Sequence, residues 1–272
     1  MYFEHNNQPE RIISMEMLQQ ATNAVEDFLN NVEIDEWQRG YYVDHKQRYL
    51  ADLKLILDNV TDNTLLEVGA APGHMTALMK ACGINVTGVD LNPERVSNII
   101  TAFDMDIRQC DVEREPLPFE DETFDFIVFN EIFEHLRIDP PFVLCELNRI
   151  LQPGGKLMLT TPNLYSLPSI ARFLTGRSIA DPVIEYSKLR NMGHMGHVRE
   201  YSAHEVSRCL FASGFSPCYV NYRFHANYSG KKKALLSTMY RLVPSRFYRE
   251  IVVMAEKTSH VPRLTPVVPL IN

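Results

Sequence analysis

A chain of 272 residues is long enough for one large domain with a small accessory lobe, and a formal net charge of −7 disfavours wholesale binding to nucleic acid, leaving only a local basic patch for such a contact. Apolar residues make up 45% and charged residues 22%, an ordinary balance for a soluble globular protein and not that of a disordered chain. Five cysteines (Cys82, Cys110, Cys145, Cys209 and Cys218) form no CxxC pair and are odd in number, which predicts reduced thiols in a cytoplasmic protein and no zinc knuckle or disulfide framework.

The chain opens on MYFEHNNQPE, which lacks a basic-then-apolar signal pattern, and no later apolar run approaches the roughly 20 residues that span a bilayer. Residues 8 to 60 read as mostly helical. Leu18, Ala21, Val25 and Phe28 share one helical face, and Tyr49, Leu53, Leu57 and Val60 share another. EWQRGYYVDH, between them, reads as an aromatic-rich connection. Within it Trp37, Tyr41, Tyr42 and His45 are either a lid over a ligand or helix-packing aromatics. Arg48 is either an anion contact or a surface residue.

From residue 64 short apolar runs alternate with helical segments. TLLEV (64–68), NVTGVD (85–90), MDIRQC (105–110), FDFIVFN (124–130) and GKLMLTT (155–161) are expected strands, with helices starting near Gly73, Pro93 and Asp139. FDFIVFN is apolar on both faces, as a central strand covered on both sides would be. The alternation predicts an α/β fold with a mostly parallel sheet and right-handed crossovers. Residues 162–202 hold no clear strand and read as an insertion, because a loop of that length in a compact domain is usually functional. A helix (203–213), a strand (215–222), a helix (about 232–243) and a last strand, REIVVMAEK (249–257), follow. The tail from 259, SHVPRLTPVVPLIN, reads as extended or disordered. The resulting division is a helical cover (1–60), a main domain (61–258) containing the 162–202 insertion, and the tail (259–272).

The strand at 64–68 runs into GAAPG and then a helix. Ligands of open α/β sheets sit beyond the carboxyl ends of strands where strand order reverses, and small residues there permit close backbone approach. The spacing is Gly-x-Ala-x-Gly, neither a dinucleotide G-x-G-x-x-G nor a P-loop. Glu67, just before the turn, would repel a phosphate and suit a cationic ligand. The ammonium and sulfonium of S-adenosylmethionine meet that requirement.

EVGAAPG closely resembles the first motif of class I S-adenosylmethionine-dependent methyltransferases of the type 11/23 kind. GVDLNPE, QCDVE, FDFIVFNEIFEHL and LQPGGKLMLTTPN follow in the order that family uses, over about 60 to 260. The resemblance implies a Rossmann-like seven-stranded, mostly parallel sheet with helices on both faces, an antiparallel last strand and a helical N-terminal cover. It implies that Glu67, Gly69, Ala71 and Gly73 shape the methionine end of the cofactor site. Asp90 would hold the ribose, Asp111 with Val112 the adenine, and Leu91 would cover the ring. Asn130 would offer its backbone to the methionine amine. Ala71 departs from the family's usual glycine.

NEIFEHL places Glu131, Glu134 and His135 directly after the fourth strand, on one face if a helical turn starts there. GHMGHVREYS supplies His194 and His197. Two carboxylates and two imidazoles suit a divalent cation such as Mg, Mn or Zn, and a metal beside the donor would lower an acceptor hydroxyl's pKa. The segment resembles the ExxEH of ubiquinone-pathway O-methyltransferases and of small-RNA 2′-O-methyltransferases, where a later histidine completes the set. Carried over, the metal ligands are Glu131, Glu134, His135 and His197, with His194 as an alternative to His197. Without metal, His135 or His197 is the general base. The expected reaction is O-methylation of a small-molecule, glycan or quinone-like hydroxyl. An RNA terminal ribose is the alternative acceptor, and a non-catalytic cofactor-binding module the alternative role. Residues 231–249, with three lysines and three arginines among apolar residues, are either a solvated helix or a contact with an anionic membrane surface or a phosphorylated acceptor. Leu167, Ile170, Phe173 and Leu174 in the insertion are an acceptor lid or an apolar docking surface.

Overall fold

A computed structural model describes residues 15–60, 64–192, 196–224 and 240–261. The chain order is α1 (Met15–Asn31), α2 (Glu36–Leu57), β1 (Leu65–Val68), α3 (His74–Ala81), β2 (Val86–Asp90), α4 (Ser97–Ala102), β3 (Asp106–Gln109) and β4 (Phe124–Asn130). Then come α5 (Pro140–Ile150), β5 (Leu151–Pro162), α6 (Leu167–Leu174), α7 (Pro182–Met192), α8 (Ala203–Ala212), β6 (Phe215–Arg223) and β7 (Glu250–Lys257).

Seven strands form one sheet in the order β3-β2-β1-β4-β5-β7-β6. The pairs from β3 to β5 are parallel, and β7 runs antiparallel to both β5 and β6. Alternation of side chains explains why these runs are apolar throughout. Leu65, Phe126, Val128, Met158, Val252 and Met254 face a core shared with α1 to α4. Their neighbours Leu66, Ile127, Phe129, Leu157, Leu159, Ile251 and Val253 face a second core with α5 and α8. Strand order reverses between β1 and β4, so the carboxyl ends of these two strands bound the expected crevice.

The segment EWQRGYYVDH is not a connection. It is the first half of α2, started by Asp35, whose carboxylate accepts from the Gln38 amide at 2.6 Å. Its glycine and aromatics are poor helix formers, but tertiary contact overrides that weak preference. Tyr42, Tyr49, Leu53 and Ile56 are buried. Gln38 donates to the Pro72 carbonyl at 3.1 Å and accepts from Asn98 at 3.2 Å, tying α2 to the turn after β1. The insertion has no strand among its described residues, only an isolated bridge from Asn163 to Tyr201, and it folds into α6 and α7. The helix expected at about 232–243 and most of the basic segment 231–249 lie outside the described residues, as do 1–14, His194 and the tail beyond 261. No described helix is long and apolar enough to cross a membrane. No disulfide links the five cysteines.

Candidate active site

The turn after β1 is built for close approach. Gly69 has φ +75°, and a Cβ there would lie 2.1 Å from Ile132 Cδ1. Asp90, at the end of β2, is buried and holds the turn. Its Oδ2 accepts from the Ala71 amide at 3.0 Å and its Oδ1 from the Asn92 amide at 2.9 Å. Arg95 Nη2 stands 3.7 Å from the same carboxylate, and its guanidinium lies over the Trp37 ring at 5.3 Å. Beside them opens a cleft of about 890 Å³, lined by Gly69, Ala71, Asp90, Leu91, Asp111 and Val112, with Trp37 and Tyr41 of α2 as its cover.

A deeper pocket continues from this cleft. Glu67, Gly69, Ala71, Asn130 and Glu131 line it, with Tyr41, Arg48 and Asp52 from α2. Burial pushes the Glu67 carboxyl up to about 8, against the hydrogen bond it accepts from Thr76 Oγ1. A neutral acid at the bottom of the pocket would ionise readily beside an arriving cation. Gly73 lines neither space. It has φ +89° at the N-cap of α3, and a Cβ there would meet Ile99 Cγ2 at 2.6 Å, so its glycine serves helix packing.

Glu131 does not share a helical face with Glu134 and His135. Its own φ is +56°, and the following 3₁₀ turn begins only at Phe133. The left-handed backbone turns its carboxylate away from the later pair. Arg48 Nη1 donates to Glu131 Oε2 at 2.7 Å, and Thr160 Oγ1 to Oε1 at 3.0 Å. Arg48 is therefore neither a surface residue nor free for an anion. Behind this pair Arg223 bridges the buried acids Asp52 and Glu250, joining α2 to β6 and β7.

Glu134, His135 and His197 do come together, each offering a ligand atom within 4.8 Å of the others. Glu134 is fully buried; its Oε2 accepts from Thr161 Oγ1 at 2.9 Å, and its carbonyl accepts the Val198 amide at 2.9 Å. That backbone bond carries the 196–200 segment onto the end of β4. His135 Nδ1 lies 3.0 Å from the Gly196 carbonyl, so it carries the proton and leaves Nε2 as a lone pair. The two imidazole rings meet edge to face at 5.0 Å. Glu200 Oε1, 3.7 Å from His197 Nδ1, raises that imidazole's pKa, opposing its burial.

His135 borders the first cleft. His197 borders a second one, of about 990 Å³, between α2, α6 and the start of β7. Tyr41 lies on the first cleft and His45 on the second, while Tyr42 is core, packed with Tyr49 around His74. Sequence reasoning did not find Arg95, Thr160 or Thr161. Arg95 lies five residues past Asp90, and the threonines sit at the end of an apolar strand, where adjacent polar positions signal a site at its carboxyl end.

A family described as "Methyltransferase domain" matches residues 36–219. The chain belongs to this family, the class I S-adenosylmethionine-dependent methyltransferases. It is 29% identical over 152 residues to a "Probable S-adenosylmethionine-dependent methyltransferase" of Mycolicibacterium smegmatis, covering 56% of this chain and 51% of that protein. It is 33% identical over 104 residues to a ubiquinone biosynthesis O-methyltransferase of Xanthomonas oryzae, covering 36% and 43% of the two chains. The chain thus spans about half the length of the curated relatives it matches. An S-adenosylmethionine-dependent methyltransferase from Mesorhizobium loti shares the fold with a TM-score of 0.55 at 17% identity, covering 76% of this chain and 96% of that one.

Proposed function

We propose that the protein transfers the methyl group of S-adenosylmethionine to a hydroxyl of a small molecule, a glycan or a quinone-like ring. The observation that carries this is the position of His197 and His135, which form the wall between the donor cleft and the second cleft. The donor supplies an electrophilic methyl group. Glu67 and Asp90 suit its cationic end and its ribose, and Asp111 with Val112 its adenine. The acceptor oxygen attacks the methyl carbon in line as the sulfur–carbon bond breaks, and the acceptor's proton goes to His197 Nε2. Glu200 at Nδ1 orients that imidazole and stabilises its charged form.

A second reading rests on the three-donor cluster. Glu134, His135 and His197 fit a divalent cation, because His135 Nδ1 is committed to a carbonyl and Nε2 points toward Glu134, 3.8 Å away. A cation there would lower the pKa of a bound acceptor hydroxyl. Glu131 lies outside this cluster, paired with Arg48.

Methyl transfer from labelled donor to a panel of catechols, sugars and single hydroxyls, beside amines, tests the reaction. Transfer to hydroxyls is expected, with a loss of about 10²–10⁴ in kcat for His197→Asn. Transfer to amines alone would overturn the reading. Calorimetry with Mg²⁺, Mn²⁺ and Zn²⁺ on protein saturated with S-adenosylhomocysteine separates base from metal. Saturable binding lost in Glu134→Gln would establish the cation.

A further inference from the structure

The second cleft has a charge imbalance that the net charge of −7 hides. Three carboxylates line it: two face guanidinium groups, and the third faces the His197 imidazole. Glu131 is paired with Arg48 at 2.7 Å, Glu250 with Arg223 at 2.8 Å, and Glu200 with His197 at 3.7 Å. Two guanidinium groups on the same walls have no carboxylate partner among the described residues. Arg172 of α6 donates only to the Ile179 carbonyl. Arg249 engages the rest of the chain through its backbone, its carbonyl accepting from the Asn163 amide at 2.8 Å.

We propose that the acceptor is a small hydroxylated compound carrying an anionic oxyacid group, a phosphate or a carboxylate, and that Arg172 and Arg249 bind this group while the hydroxyl is presented to His197. The inference rests on the reading that the second cleft holds the acceptor. Guanidinium suits it because its planar donor fork matches carboxylate and phosphate oxygens two at a time. Uncompensated cations in an acidic protein also draw an anionic molecule to this mouth in preference to a neutral one.

The test uses the full chain with S-adenosylmethionine and matched acceptors: ribose and ribose 5-phosphate, glucose and glucose 6-phosphate, catechol and 3,4-dihydroxybenzoate. The charged member of a pair is expected to show kcat/KM at least about tenfold higher. Arg172→Gln and Arg249→Gln should each raise its KM by about tenfold, with the lysine replacements recovering part of the loss. The sugar and catechol pairs distinguish phosphate from carboxylate. Both side chains are exposed, and the thermal midpoint and affinity for S-adenosylhomocysteine check that the variants are folded. Independently of turnover, inorganic phosphate or benzoate should bind saturably to protein loaded with S-adenosylhomocysteine, and the double variant should lose that binding.

Equal turnover within every pair, unchanged in the double variant, would overturn the anion site and leave oxygen methylation standing. Absence of both phosphate and benzoate binding, with no charged acceptor preferred, would do the same. Methylation of an RNA oligonucleotide and of none of the small acceptors would also overturn it. Transfer to an amine with the same dependence on Arg172 and Arg249 would sink the oxygen reading and keep the anion site.

Discussion

Glu67 shows how burial tunes one side chain at the foot of a pocket. Burial raises its pKa from 4.5 to about 8, so the folded chain holds a proton that the unfolded chain gives up near 4.5. The sign follows from linkage. The stability this proton contributes is fully present below 4.5 and is lost as pH rises through about 8. Between pH 6.5 and 8 the thermal midpoint of wild type should therefore fall more steeply than that of Glu67→Gln, measured by calorimetric scans in parallel. A cationic ligand beside the carboxylate reverses its preference. Binding of S-adenosylhomocysteine at pH 7, measured in buffers of different ionisation enthalpy, should release a proton, and Glu67→Gln should abolish that release. Gly69 makes the steric counterpart. Its φ of +75° and the 2.1 Å approach of Ile132 to an added Cβ mean that Gly69→Ala should cost about 1–3 kcal/mol in folding and weaken cofactor binding, read by denaturant titration with and without ligand.

The element that most changes the picture is α2. It supplies Trp37 and Tyr41 to the first cleft, His45 to the second cleft, and Arg48 to the acid between them, four positions along one side of a helix. Arg48→Met should leave Glu131 buried without its cation and destabilise the protein by about 3–5 kcal/mol. Adding Glu131→Gln should restore much of that loss, which a double-mutant cycle in denaturant would measure. Absence of coupling would show that the pair does not hold α2 in place. The sheet strands were legible as apolar runs because both faces of β1, β4 and β5 are covered, and Asp90, Asp111 and the glycine turn were legible because they lie within a few residues of strand ends. The first half of α2 was not, because its helix depends on partners far along the chain. Glu131 misled for the same reason: its salt bridge joins residues 83 apart, and its left-handed φ has no signature in NEIFEH. The joining of His135 to His197 was readable only as residue chemistry, since the carbonyl of Glu134 that docks Val198 carries no sequence mark.

At the scale of the whole molecule, ligand binding should tighten parts of the chain that are distant in sequence. α2 from Trp37 to Arg48 and the 196–200 segment both border the clefts, while α8 and β6 do not. Hydrogen exchange with saturating S-adenosylhomocysteine should therefore slow at α2 and at Glu131–His135, with little change in α8. At about 100 times Kd the ligand should add about 2.7 kcal/mol to global stability. The sheet order carries one more consequence. β7 lies between β5 and β6, and among the described residues β6 pairs with no other strand. During synthesis the ribosome delivers β6 before the strand that must receive it. Until residues 250–257 emerge, β5 presents an open edge and β6 has no neighbour. Stopping translation just before Glu250 would thus remove two strands from the sheet instead of one, and would expose the Leu157 and Leu159 ridge as a template for intermolecular pairing.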